Sequence, residues 1–121
     1  MLLMAAHSAG MEVRITGQMP KQEDANRLFF EAATEALTNA VRHADAVTLY
    51  IALSEDDTFC SVRFTNDGNQ PQNQIVEGGG LGSLRQKTEQ LGGKMEVLYQ
   101  PEFVLKLTVL KKRGDNLCSM F

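Results

Sequence analysis

The sequence predicts an α+β fold, a two-layer α/β sandwich of five strands and two main helices. Three observations lead there: a long stretch with apolar residues at helical spacing, a second and shorter one, and five runs in which polar and apolar residues alternate. Amphipathic helices need only one sheet face to bury themselves, so helices on one side of the sheet satisfy both patterns. At 121 residues the chain is large enough for one core and too small for two, which makes residues 1–121 a single expected domain.

In chain order, Glu12 to Thr16 alternates and is punctuated by Gly17 and Pro20, which predicts a short strand and a turn. The long helical pattern runs from about Gln22 to His43, with Glu23 and Asp24 near the positive end of the helix dipole. The period then changes to two. Val47, Leu49, Ile51 and Leu53 share one face, the acidic Ser54-Glu55-Asp56-Asp57 makes a turn, and Phe59 to Thr65 returns as the second arm of a hairpin. Between Asn66 and Gly80 only Ile75 and Val76 are apolar, so a mobile loop is expected there. Gly82 to Gln90 reads as the second helix, ended by Gly92-Gly93, and is followed by alternating runs from Met95 to Tyr99 and Phe103 to Val109. After Leu110 a polar tail should fray.

A net charge of -3, with 12 basic residues scattered along the chain, argues against nucleic-acid binding, which needs a basic patch or stripe. No apolar run approaches the roughly 20 residues that span a bilayer, and Met1 to Ala6 lacks a signal-peptide pattern, so a soluble chain without membrane contact is expected. Cys60 lies in a strand pattern and Cys118 in the tail, without metal-ligand spacing. They read as unpaired thiols of a reducing cytoplasm. His7 has no acidic or histidine neighbour at helical spacing and reads as an incidental surface histidine, not as a phosphoacceptor.

Function is concentrated in three places. Within Glu35-Ala-Leu-Thr-Asn39-Ala-Val-Arg42-His43-Ala44, helical spacing stacks Glu35, Asn39 and His43 on one face; Glu31 extends the row by a turn. Ala32, Ala36, Leu37, Ala40 and Val41 supply the face for the core. Alone, the polar row reads equally as a solvated surface. Downstream, however, Thr65-Asn66-Asp67-Gly68 closes a strand pattern, and Gly78-Gly79-Gly80-Leu81-Gly82-Ser83-Leu84-Arg85 opens a helix. Three such elements in this order suggest a nucleotide site.

The ordered trio resembles the N, G1 and G2 boxes of the GHKL (Bergerat-fold) ATPase superfamily. Glu-Ala-Leu-Thr-Asn-Ala-x-x-His-Ala, followed by Gly-x-Gly-Leu-x-x-Leu-Arg and by Leu91-Gly92-Gly93, is most similar to the catalytic ATP-binding domain of bacterial sensor histidine kinases. The resemblance covers about residues 12–110. It implies a mixed sheet, with ATP held between the helices and the loop. It makes Asn39 the Mg2+ ligand and Glu35 the acid that orients water around the metal or assists proton transfer. Arg42 and His43 fall beside the phosphates, where a guanidinium suits bidentate contact, although His43 also fits a place at the edge of the core. Gly78, Gly80 and Gly82 would let backbone amides approach phosphate oxygens at a helix N-terminus; Gly68, Leu81 and Ser83 complete the implied ATP contacts. Arg85, in the first turn, reads either as a further contact or as a surface charge.

Three departures from the family pattern stand out. Asn66 replaces the usual aspartate that accepts a hydrogen bond from the adenine amino group, and a neutral amide accepts a weaker one. Asp67, its neighbour, should point to the opposite face. The lid between Gly68 and Gly80 is short and lacks a clear phenylalanine box, so nucleotide would be exposed. Glu102-Phe103 stands where many relatives have Gly-Thr. The resemblance implies a kinase domain that passes the γ-phosphate of Mg-ATP to a histidine on a dimerisation domain, and so indirectly to a response regulator. Alternatives are a stand-alone anti-sigma-type serine kinase and a nucleotide-binding switch module without transfer chemistry.

Overall fold

The computed structural model describes residues 12–40, 48–67, 80–98 and 103–111. These form β1 (Glu12–Thr16), α1 (Glu23–Asn39), β2 (Thr48–Glu55), β3 (Phe59–Asn66), α2 (Gly80–Gln90), β4 (Lys94–Leu98) and β5 (Val104–Leu110). The strands make one sheet in the order β1-β2-β3-β5-β4. The β1–β2 pair is parallel and the others are antiparallel, so the sheet is mixed.

Period-two burial fixes which face meets the helices. Leu49, Ile51 and Leu53 of β2, Cys60, Val62 and Phe64 of β3, Met95 of β4, and Leu105, Leu107 and Val109 of β5 are buried together with Ala25, Leu28, Phe29, Ala32, Ala33, Ala36 and Leu37 of α1. The alanines along α1 let the helix lie close to the sheet, and Phe29 and Phe64 fill the space between them. From α2, Leu81 and Leu84 complete the core. The opposite sheet face carries Arg63, Lys106 and Glu96 at neighbouring register positions.

Side chains and glycines close the turns. Asp56 accepts amide hydrogen bonds from Thr58 at 2.8 Å and Phe59 at 2.7 Å, which hold its carboxyl below the usual range and knit the β2–β3 hairpin. At the end of α2, Gly92 has φ of 71°, its amide reaches the Glu89 carbonyl, and the Gly93 amide reaches that of Thr88. This double closure is a Schellman motif, and it turns the chain directly into β4. Cys60 is buried, and desolvation raises its thiol pKa. Cys118, the tail expected to fray, the opening residues with His7 and most of the expected mobile loop lie outside the described residues.

Candidate functional site

Topology decides what can meet. Because β1 and β2 are adjacent and parallel, α1 must carry the chain back between them, so it ends where β2 begins. Since β3 runs antiparallel to β2, it also finishes there, with Asn66 opposite Leu49. Lys87 of α2 pairs with Glu31 of α1, whereas Gly80, two turns earlier in α2, meets Glu35, one turn later in α1. The two helices are therefore antiparallel, and α2 starts at that same end. Glu35 and Asn39, Asn66, and Gly80 are thus gathered at one end of the sandwich from three separate stretches of sequence.

Asn39 is 8% exposed, and its amide nitrogen is buried with no hydrogen-bond partner among the described residues. Burying an unsatisfied amide costs about 1–3 kcal/mol, so its persistence at a helix end asks for an explanation outside the fold. Beside it, the carboxyl group of Glu35 lies over the backbone of Gly80, in the space that a Cβ on that residue would fill. Gly80 was expected to leave room for phosphate. In this structure the place of its missing side chain is taken by the Glu35 carboxyl group.

Asn66 is also 8% exposed and shares the core-facing side of β3 with Phe64 and Val62. Asp67 is differently employed: its Oδ1 accepts the Thr48 amide hydrogen bond at 2.9 Å, and its own amide reaches the Thr48 carbonyl at 3.3 Å. This clamp ties the end of β3 to the start of β2, so Asp67 orders the strand ends that carry Asn66. Asp67→Ala is expected to lower unfolding stability by about 1.5–3 kcal/mol, the usual range for losing a hydrogen bond to a charged acceptor, as read from a urea titration.

Two residues of the glycine-rich run and its helix have a structural role. Leu81 is 3% exposed and belongs to the core, so its side chain anchors α2 to the sheet and only its backbone faces the site end. Arg85 is half-buried and donates from Nη1 to the Met95 carbonyl at 2.9 Å, which joins α2 to β4. Gly82 is half-buried and Ser83 exposed in the first turn of α2. Arg42, His43, Gly68 and Gly78 lie outside the described residues. Sequence reading missed the Thr48–Asp67 clamp and the Lys87–Glu31 pair. The second left one trace, a glutamate one turn before Glu35, but nothing in the sequence says which lysine it meets.

A groove of about 480 Å3 lined by Gln22, Asp24, Gln90, Leu91 and Lys111 lies at the opposite end, where α1 begins and α2 finishes. It holds none of the expected site residues. Among the described residues no three His, Cys, Asp or Glu side chains converge to bind a metal unaided, and no helix is long and apolar enough to cross a membrane.

No family model matches the chain. Half of it is 38% identical over 61 residues to the sensor histidine kinase YxjM of Bacillus subtilis (strain 168), of which it spans 15%. Solved structures share its fold. The histidine kinase domain from the Erythrobacter litoralis EL346 blue-light activated histidine kinase superposes over 98% of this chain and 63% of that one, with TM-score 0.67 and 21% identity. The Acinetobacter baumannii histidine kinase AdeS covers 90% of this chain and 60% of its own, with TM-score 0.66 and 14% identity. This chain therefore spans under two thirds of each of these proteins. Its α+β sandwich is the fold of solved histidine kinases, and half its sequence aligns with a sensor histidine kinase, in keeping with the GHKL resemblance of its motifs.

Proposed function

We propose that the chain is the Mg-ATP-binding catalytic domain of a sensor histidine kinase, supplying the γ-phosphate to a histidine on a dimerisation domain and so serving a response regulator in two-component signalling. The observation that carries this reading is the convergence of Asn39, Glu35, Asn66 and Gly80 at one end of the sandwich, with the Asn39 amide buried and unpartnered. An amide oxygen beside a carboxylate suits Mg2+, which is usually held by one or two protein oxygens together with substrate phosphates and waters. When bound, Mg2+ neutralises charge on the phosphates.

In this reading Asn39 would offer its oxygen to the metal, and Glu35 would orient water around it or assist proton transfer. Asn66, buried on the core side of β3, accepts a hydrogen bond from the adenine amino group. The first-turn amides of α2, around Gly82 and Ser83, face the phosphates, where a helix N-terminus favours anions. Arg42, His43, Gly68 and Gly78 are assigned by resemblance to the same ligand.

The test is incubation with γ-labelled ATP, alone and with the dimerisation hairpin of the parent protein or of a related kinase. The isolated chain is expected to bind Mg-ATP and to carry no acid-labile label, whereas the hairpin acquires it. Failure to bind ATP with or without Mg2+, or label on the isolated chain, overturns the division of labour.

A further inference from the structure

α2 lacks an acidic residue in its own first turn, although negative charge is favoured at a helix N-terminus. A carboxyl group reaches its first residue from the neighbouring helix: Glu35 of α1 lies across Gly80, in the volume a Cβ would need. The alignment is held from two sides. Lys87 pairs with Glu31 through Nζ at 3.1 Å from Oε1 and 2.9 Å from Oε2, which marks how far α2 lies along α1. Leu81, Leu84 and Thr88 are buried on the core side and fix the rotation of α2.

We propose that Gly80 is a positioning residue for Glu35: the missing side chain at the first residue of α2 is the seat that sets the direction of the carboxylate. The inference deepens the kinase reading and rests on it for the role of Glu35. It gives Gly80 a task distinct from the close approach of phosphate. A displacement of the start of α2 would carry the seat with it, so the orientation of Glu35 is coupled to this helix end.

A double-mutant cycle tests the seat without any ligand. Gly80 has no positive φ, so alanine there is conformationally permitted and should stabilise the helix when nothing occupies the space. Thermal unfolding of the parent, Gly80→Ala, Glu35→Ala and the double variant should be non-additive. Gly80→Ala should raise the melting temperature by a few degrees with Glu35→Ala and by less with Glu35 present, because the carboxylate, the end of a flexible side chain, must then turn aside. Equal shifts in both backgrounds overturn the proposal.

The second readout is phosphotransfer to an added hairpin. Gly80→Ala should reduce kcat at least tenfold, with a much smaller change in KM for ATP, and Glu35→Asp in the same chain should recover part of the loss by withdrawing the carboxyl group by one methylene. No recovery overturns the positioning role. A parent chain that binds no ATP overturns the kinase reading, while the unfolding cycle still decides the contact.

Discussion

Asn39→Ala should remove the Mg2+ dependence of ATP binding and at the same time make the unliganded protein no less stable. Both signs follow from the burial of the Asn39 amide without a partner among the described residues. Deleting an unsatisfied polar group removes a desolvation penalty, and alanine is the better helix former, so the melting temperature should hold or rise. Losing a metal ligand acts the other way on the complex. A drop of about tenfold or more in affinity with Mg2+, equivalent to about 1.4 kcal/mol, is expected by calorimetry, with little change in its absence. A variant with undiminished Mg2+-dependent affinity contradicts the ligand assignment, and one that unfolds shows that the amide serves the fold.

Leu81→Ala should have the largest effect on folding among the residues of the glycine-rich run. The side chain is 3% exposed in the shared core, so truncation leaves a cavity as well as losing transfer energy, together about 2–5 kcal/mol. The urea midpoint should fall accordingly. ATP affinity, extrapolated to the folded fraction, should change far less, because only the backbone of Leu81 faces the site end. The reverse outcome, normal stability with lost binding, would make Leu81 a ligand contact after all.

The two cases show where the sequence was legible. The row of Glu35 and Asn39 and the alanine-rich face of α1 follow from helical spacing alone, and α1 begins within one residue of the expected Gln22. β1 spans the five residues anticipated, and β3, β4 and β5 each lie within one residue of their alternating runs, whereas β2 continues two residues past Leu53 through Ser54 and Glu55, which the pattern places in the turn. Alternation survives because one sheet face is buried while the other carries polar side chains. α2, in contrast, begins two residues before the expected Gly82, since glycines argue against helix while burial of Leu81 and Leu84 holds the first turn in place.

Pairing was less legible than element type. Nothing in a local pattern says that β1 joins β2 in parallel or that β5 sits between β3 and β4, because register depends on residues far apart in the chain. Site roles that act through the backbone were hidden for the same reason. Asp67, expected only to face away from Asn66, holds the Thr48 amide, and Arg85, which the sequence leaves between a ligand contact and a surface charge, donates to the Met95 carbonyl. The seat of Glu35 on Gly80 depends on the antiparallel alignment of two helices and leaves no periodic trace.

The marginal position of β1 has a consequence for solubility. Among the described residues it bonds only to β2, and Ile15 is 51% exposed, so one line of backbone donors and acceptors faces outward next to an apolar side chain. Such a margin is a template for a strand from a second molecule. Glu12 and Arg14, paired at 3.1 Å and largely exposed on the same strand, put two desolvation costs in the way of any intruder. Their value lies in discouraging intermolecular sheet growth, since an exposed ion pair adds little to the stability of the monomer itself.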